Sequence, residues 1–325
     1  MARPLDPKDA IFYGTFVQAA YAMFLADDTN LRPEPAGKGV PDGWDVVAWI
    51  TMNDFFLGRE FEKFYGILAK KNDDPNSYVL AMRGTEEAIE WYNNAFAFLT
   101  PFDRVPGSGY VHKGFMRIYD TIKVTQRAPA AGVAPAAAQP GVSFAAQVAQ
   151  VVRERSASDR APALGQDVAA DANVVVVAHS LGAALSTLYV VDNMKNHTIT
   201  NPLVCTFASP RVGDKTFVDT FNGFGLTSWR IVNAPDLVPN VPPDVWGYRH
   251  VDALTLVDST AEVQPTLACA HAITTYDHML DATRPVDGDC AVTPEEAALI
   301  RDQLPDPATA EQIRSAIEGV HAGDA

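Results

Sequence analysis

The chain has 325 residues, 47% hydrophobic and 20% charged, enough for one sizeable core or two modest ones. Its net charge of −15 repels phosphate backbones and anionic lipid, which excludes nucleic acid as a partner and an electrostatic membrane anchor. No run of about 18 uninterrupted apolar residues is present, so no transmembrane helix is expected.

Apolar side chains recur at helical spacing from Asp9 to Leu25 and predict a first helix. Val46–Met52, Phe61–Ala69 and Tyr78–Met82 read as strands, with a polar turn over Lys70–Asn76. Helical spacing returns from Glu86 to Thr100, where Ala88, Tyr92, Phe96 and Leu99 share a stripe beside Trp91 and Phe98. Residues 127–141 are almost entirely Ala, Pro, Gly and Gln and predict a flexible insertion, since they offer too little apolar surface to order themselves. A helix over Phe144–Arg153 precedes the valine run Asn173–Ala178, which reads as a parallel strand buried on both faces. Helix follows at Ala183–Asn193, further strands at Leu203–Phe207 and Ser228–Val232, and two short peripheral helices in residues 293–325. This alternation predicts a single α/β domain with a mostly parallel central sheet and helices on both faces.

The valine strand runs into Ala178-His179-Ser180-Leu181-Gly182 and then a helix. A sharp strand–turn–helix junction of this kind presents a serine as a nucleophile, and tolerates only small residues two positions to either side. The Leu181 amide, at the start of the helix, is placed to donate to a developing oxyanion. Such a serine needs an acid and a base later in the chain, in the order Ser, Asp, His. Asp236 follows the Ser228–Val232 strand and is the candidate acid. His271 and His278 both lie late enough to be the base, and seven residues apart they read as one face of one helix. His179, beside the nucleophile, points away from it in such a turn.

Taken together, these residues resemble the class 3 lipases, the fungal and plant triacylglycerol-lipase-like branch of the α/β-hydrolases. The resemblance spans roughly Ser77 to Leu280. It is carried by Arg83-Gly84-Thr85, Val111-His112-Lys113-Gly114-Phe115, Ala178–Gly182, Thr206–Asp214 and Asn233–Pro239, five motifs in the family's order. Ala178 stands where the family pattern has Gly. The resemblance implies an α/β-hydrolase fold with Ser180 as nucleophile, Asp236 as the acid that orients the base, and Thr85 with Leu181 as the oxyanion donors. Cys269–Tyr276 resembles the family's His-x-hydrophobic-x-x-Tyr segment and favours His271 as base over His278. The helix after Arg-Gly-Thr is a lid in the family, which makes residues 86–105 a candidate lid that contacts lipid transiently. A fixed helix with its aromatics packed on the core is the competing reading. His112, Gly114, Pro210, Arg211 and Asp214 read as structural.

The expected chemistry is serine-dependent hydrolysis of a carboxylic ester through an acyl-enzyme, with no cofactor and no metal. A lipase or esterase acting on acylglycerol-type lipids is the first reading. A phospholipase A1 or a feruloyl-type esterase is the alternative on the same scaffold, and a catalytically silent lipase-like binding module is the alternative outside enzymes. The expected partner is a lipid or small ester substrate, with no obligate protein partner. The start MARPLDPKDAIFYG lacks the pattern of a secretory signal, which points to the cytoplasm, with secretion as the alternative where a leader has been removed. In that compartment Cys205, Cys269 and Cys290 are expected as thiols, although Cys269 and Cys290 are candidates for pairing.

Overall fold

A valine-rich strand can be buried on both faces only if another layer covers each side of its sheet, and that arrangement governs the molecule. The computed structural model describes residues 3–56, 59–85, 98–127, 141–158, 172–196, 199–304 and 315. Helix α1 (Pro7–Ala26) begins at Asp6, whose carboxylate accepts from the Lys8 amide, with Pro7 in the first turn. Strands β1 (Trp44–Phe56), β2 (Arg59–Lys71) and β3 (Ser77–Met82) follow as an antiparallel meander. Two short strands, β4 (Leu99–Pro101) and β5 (Tyr110–His112), lead into helix α2 (Lys113–Tyr119) and strand β6 (Lys123–Gln126).

The parallel half comes next. Helix α3 (Phe144–Ser158), strand β7 (Asn173–His179), helix α4 (Leu181–Asn196) and strand β8 (Val204–Phe207) alternate as the composition pattern predicts. Strand β9 (Gly213–Asp214), helix α5 (Lys215–Asn222), strand β10 (Ser228–Asn233), strand β11 (Tyr248–Arg249) and strand β12 (Leu254–Val257) continue the chain. Helices α6 (Leu267–His271), α7 (Ile273–Leu280) and α8 (Pro294–Gln303) close the described part.

The main sheet has the order β12-β10-β8-β7-β3-β2-β1-β6. From β12 to β3 every pairing is parallel, and from β3 to β6 every pairing is antiparallel. A second, four-stranded sheet has the order β11-β9-β5-β4. Alternate residues of each central strand enter opposite cores. Val174, Val176 and Ala178 of β7 join Leu80 and Met82 of β3 against α2, α3 and α4. Val177 joins Val79, Ala81, Phe207 and Ile231 against α1 and α7, where Phe16, Phe24 and Tyr276 fill the layer. Two buried faces therefore explain why β7 reads as a continuous apolar run.

Several expectations meet their limits here. The helical pattern of Glu86–Thr100, and with it most of the candidate lid, falls outside the described residues. Leu99 and Thr100 are strand rather than helix, because they pair with His112 and Val111 of β5. Beyond them Phe102 and Val105, inside the candidate lid's far boundary, are buried in the main core. The Ala/Pro-rich stretch is described only at Arg127 and Gly141. Of the two tail helices α8 is formed, held by a Thr293–Glu296 capping box, and the other lies outside the described residues. The expectation of free thiols at Cys269 and Cys290 is overturned by a disulfide between them. The turn at Gly288–Cys290 folds back on α6, and the Gln264 amide donates to the Cys290 carbonyl at 2.9 Å. Cys205 is a buried free thiol. Among the described residues no helix is long and apolar enough to cross a membrane.

Candidate active site

Four chain segments leave the carboxyl ends of parallel strands side by side and build the site. Ser180 follows β7 directly and holds φ at 56°, a left-handed conformation that costs a non-glycine residue about 1–2 kcal/mol. Its neighbours hold it there. The Ser180 amide donates to the Phe207 carbonyl at 3.0 Å, and its own carbonyl receives the Ala183 amide at 2.9 Å as α4 begins. Gly182 is required sterically, since a Cβ there would meet the Arg83 and Met82 carbonyl oxygens at 2.5 and 2.8 Å. Ala178 is accommodated in full burial.

The Arg83-Gly84-Thr85 loop lies against this turn. A Cβ on Gly84 would stand 2.6 Å from Ser180 Cβ and 3.1 Å from its Oγ. Arg83 is buried between the rings of Phe24 and Tyr65, at 3.5 and 4.1 Å. Its guanidinium donates to the Phe64 carbonyl through Nε and Nη2 and to the Gly84 carbonyl through Nη1 at 2.7 Å. A buried cation thus fixes the loop that ends at the half-buried Thr85.

Asp236 and His271 are brought together. Asp236 Oδ2 accepts from His271 Nδ1 at 2.8 Å and from the Tyr276 hydroxyl at 2.7 Å, while Oδ1 accepts from the Val238 amide at 2.9 Å. With Nδ1 donating, the lone pair of His271 lies on Nε2. His271 Nε2 and Ser180 Oγ are both buried, and neither has a hydrogen-bond partner among the described residues. His278 is not in this group. Its Nδ1 donates to the Arg284 carbonyl at 2.7 Å. The single helix expected to carry both histidines is broken at Ala272, whose ψ of 133° separates α6 from α7 and turns His278 away from Asp236.

His179 has a structural task. Its Nε2 donates to the His271 carbonyl at 2.8 Å, and its ring lies 4.6 Å from that of His271. Its Nδ1 receives the Tyr21 hydroxyl at 2.8 Å, and the same hydroxyl accepts from the Gly84 amide at 2.8 Å. One chain of hydrogen bonds therefore runs from the Arg83–Thr85 loop through α1 to the backbone of His271. Burial, and then the neighbouring His271, push the His179 pKa well below the usual imidazole range, so the ring is neutral.

The residues read as structural have structural partners. His112 Nδ1 caps α2 by accepting from the Gly114 and Phe115 amides, and burial lowers its pKa to about 4. Arg211 Nη1 donates to the Asn240 and Pro242 carbonyls, which ties down the loop after Asp236. Asp214 accepts from the Phe217 amide at 2.9 Å and caps α5.

This strand-end geometry, with a strained serine, a buried Asp–His pair and an arginine-pinned loop, coincides with a family match. The model of the family "Lipase (class 3)" matches residues 79–246. The chain belongs to the class 3 lipase family. Phospholipase A1-II 3 of Oryza sativa subsp. japonica is 29% identical over 338 aligned residues, covering 94% of this chain and 72% of that protein. Phospholipase A1-II 4 of the same subspecies is 31% identical, covering 78% and 70%. Among solved structures, a lipase from Rhizopus microsporus var. chinensis shares the fold at a TM-score of 0.53 and 21% identity, covering 77% of this chain and 74% of that one. A fungal lipase–inhibitor complex shares it at 0.54 and 17%, covering 79% and 83%. This class 3 lipase is accordingly a carboxylic ester hydrolase that acts on lipids.

Three further residues of the lipase site carry no assigned role in the sequence reading. Tyr21 lies in a helix about 60 residues before the nearest motif. Tyr276 lies inside a quoted motif, yet only its position shows that it donates to Asp236 while accepting from the Asn233 amide at 3.1 Å. Asn233 is wholly buried, and its Nδ2 bridges the Ser259 hydroxyl and the Ala270 carbonyl, each at 2.8 Å. Among the described residues no group of His, Cys, Asp and Glu is placed to hold a metal ion.

Proposed function

We propose that this lipase is a phospholipase A1 in which Ser180 is the nucleophile, His271 the base and Asp236 the residue that orients it. The observation that carries the assignment of roles is the bond from His271 Nδ1 to Asp236 Oδ2, which leaves a buried Nε2 without a partner among the described residues, as is the Oγ of the strained Ser180. The substrate class is supported by the rice phospholipases A1, one of which aligns with 94% of the chain.

In the proposed reaction His271 Nε2 takes the Ser180 proton as Oγ attacks the ester carbonyl carbon. The Thr85 and Leu181 amides receive the oxyanion. Collapse of the tetrahedral intermediate expels the alkoxide, which takes the proton from His271. Water then attacks the acyl-enzyme, giving its proton to His271, and Ser180 Oγ leaves with that proton as the fatty acid is released. Asp236 stabilises the imidazolium at each transfer and, by accepting at Nδ1, keeps Nε2 toward the serine. Tyr276 and the Val238 amide hold the carboxylate in place by donating to its two oxygens.

The test is hydrolysis of phosphatidylcholine carrying different acyl chains at its two positions, with trioctanoylglycerol as comparison and Ser180→Ala as control. Release of the sn-1 chain by wild type and not by the variant is expected. Release of the sn-2 chain, or turnover of the triglyceride alone, would reject phospholipase A1 in favour of another lipid esterase.

A further inference from the structure

A cavity of about 510 Å³ opens between α1 and the α6–α7 segment. Tyr21, Ala22 and Leu25 form one wall, and Ala268, His271 and Ile273 form the facing one. The base is part of the lining and Ser180 is not. Tyr21 joins the cavity to the reaction centre, because its hydroxyl holds the Gly84 amide at 2.8 Å and Gly84 lies against Ser180. The space therefore adjoins His271 and is not lined by Ser180.

That position has a chemical meaning. In acyl transfer the chain under attack stays bonded to the serine, while the base hands its proton to the departing alkoxide. A space bounded by the base and not by the nucleophile lies on the side of the leaving alcohol. The alcohol that leaves a diacyl glycerophospholipid still carries a second acyl chain. The walls suit a hydrocarbon, since Ala22, Ala268 and Ala272 leave width, and the exposed Leu25 carries the apolar surface outward. Burial of each methylene is worth about a fourfold gain in affinity.

We propose that this cavity seats the acyl chain retained on the leaving lysolipid, so that diacyl lipids are preferred over single-chain esters. The proposal rests on the assignment of Ser180 and His271 made above.

The test compares wild type with Ala22→Phe, Ala268→Phe and Leu25→Asp. The first two narrow the cavity from walls that are half-buried or exposed, and the third places a charge at its exposed apolar rim. Substrates are dioctanoyl-phosphatidylcholine, 1-octanoyl-lysophosphatidylcholine and p-nitrophenyl butyrate. The expected result is a loss of about tenfold or more in kcat/KM on the diacyl lipid, mostly in KM, with single-chain esters within about twofold of wild type. An equal loss on all three substrates by well-folded variants, or no loss on the diacyl lipid, overturns the proposal. Leu25→Asp keeps the test decisive should either phenylalanine variant fail to fold. If wild type cleaves p-nitrophenyl butyrate but no phospholipid, the phospholipase reading falls alone. The same variants then face 1,2-dioctanoylglycerol and 1-octanoylglycerol, and the absence of a diacyl-specific loss overturns the cavity assignment. Absence of Ser180-dependent turnover on every ester overturns both.

Discussion

The proposed nucleophile and base of this lipase, Ser180 and His271, are held by different means. Ser180 sits between two elements that adjoin it in sequence, β7 and α4, and its strained φ is enforced by nearby backbone and by the close approach of Gly182 to Arg83. His271 ends a five-residue helix that could not stand alone. It is held by distant groups: Asp236, the His179 ring on its carbonyl, Asn233 on the Ala270 carbonyl, and the Cys269–Cys290 disulfide two residues away. One half of the site is made rigid by local packing, and the other by tethers from across the fold. Damage to the first should act through the serine itself, whereas the second can be loosened one tether at a time.

The largest effect tests the two reacting groups. Ser180→Ala and His271→Ala should each lower kcat by about 10⁴-fold or more, while His278→Ala should stay within about twofold of wild type in p-nitrophenyl butyrate turnover. Activity retained in His271→Ala and lost in His278→Ala would break the comparison at its root.

Next in size is a stability effect beside the base segment. Asp277 in α7 is buried, Gln18 donates to its Oδ2, and its Oδ1 has no partner among the described residues. Burial raises its pKa from 3.8 to about 7, against smaller opposing contributions from Arg284 and Gln18. Between these two pH values the folded chain keeps a proton that the unfolded chain releases, so this group lowers stability as pH rises toward 7 and adds no further change above it. Asp277→Asn removes that dependence. It should be stabilised relative to wild type by up to about 4 kcal/mol at pH 8 and by little at pH 4, read from urea unfolding at both pH values.

Reduction of Cys269–Cys290, which encloses a separation of 21 residues, should cost about 2–4 kcal/mol of stability. A Cys269→Ala and Cys290→Ala double variant should reproduce this loss in thermal melts. Its kcat should fall more than its KM rises, because the tether acts on His271 rather than on substrate.

The smallest effect separates the tether through α1 from the rest. Tyr21→Phe removes the hydroxyl that joins Gly84 to His179 and should lower kcat about tenfold, with little change in melting temperature. An unchanged kcat would show that the oxyanion loop is held by Arg83 alone.

The sequence by itself determined the parallel sheet and the sharp turn that carries Ser180. Fully buried strands need unbroken apolar runs, and the turn after β7 needs small residues at fixed offsets, so both signals are local. Asp236 was legible for a related reason, since it follows a recognisable strand at the expected end. Only the tertiary structure places His271 and not His278 against Asp236, because their equal helical phase disappears at Ala272, where a one-residue break has no mark in the hydrophobic pattern. The same holds for the disulfide, for Tyr21 and for Asn233. Each acts through a partner many residues away, and no spacing rule along the chain encodes a contact that exists only when α1, β10 and α6 are packed together.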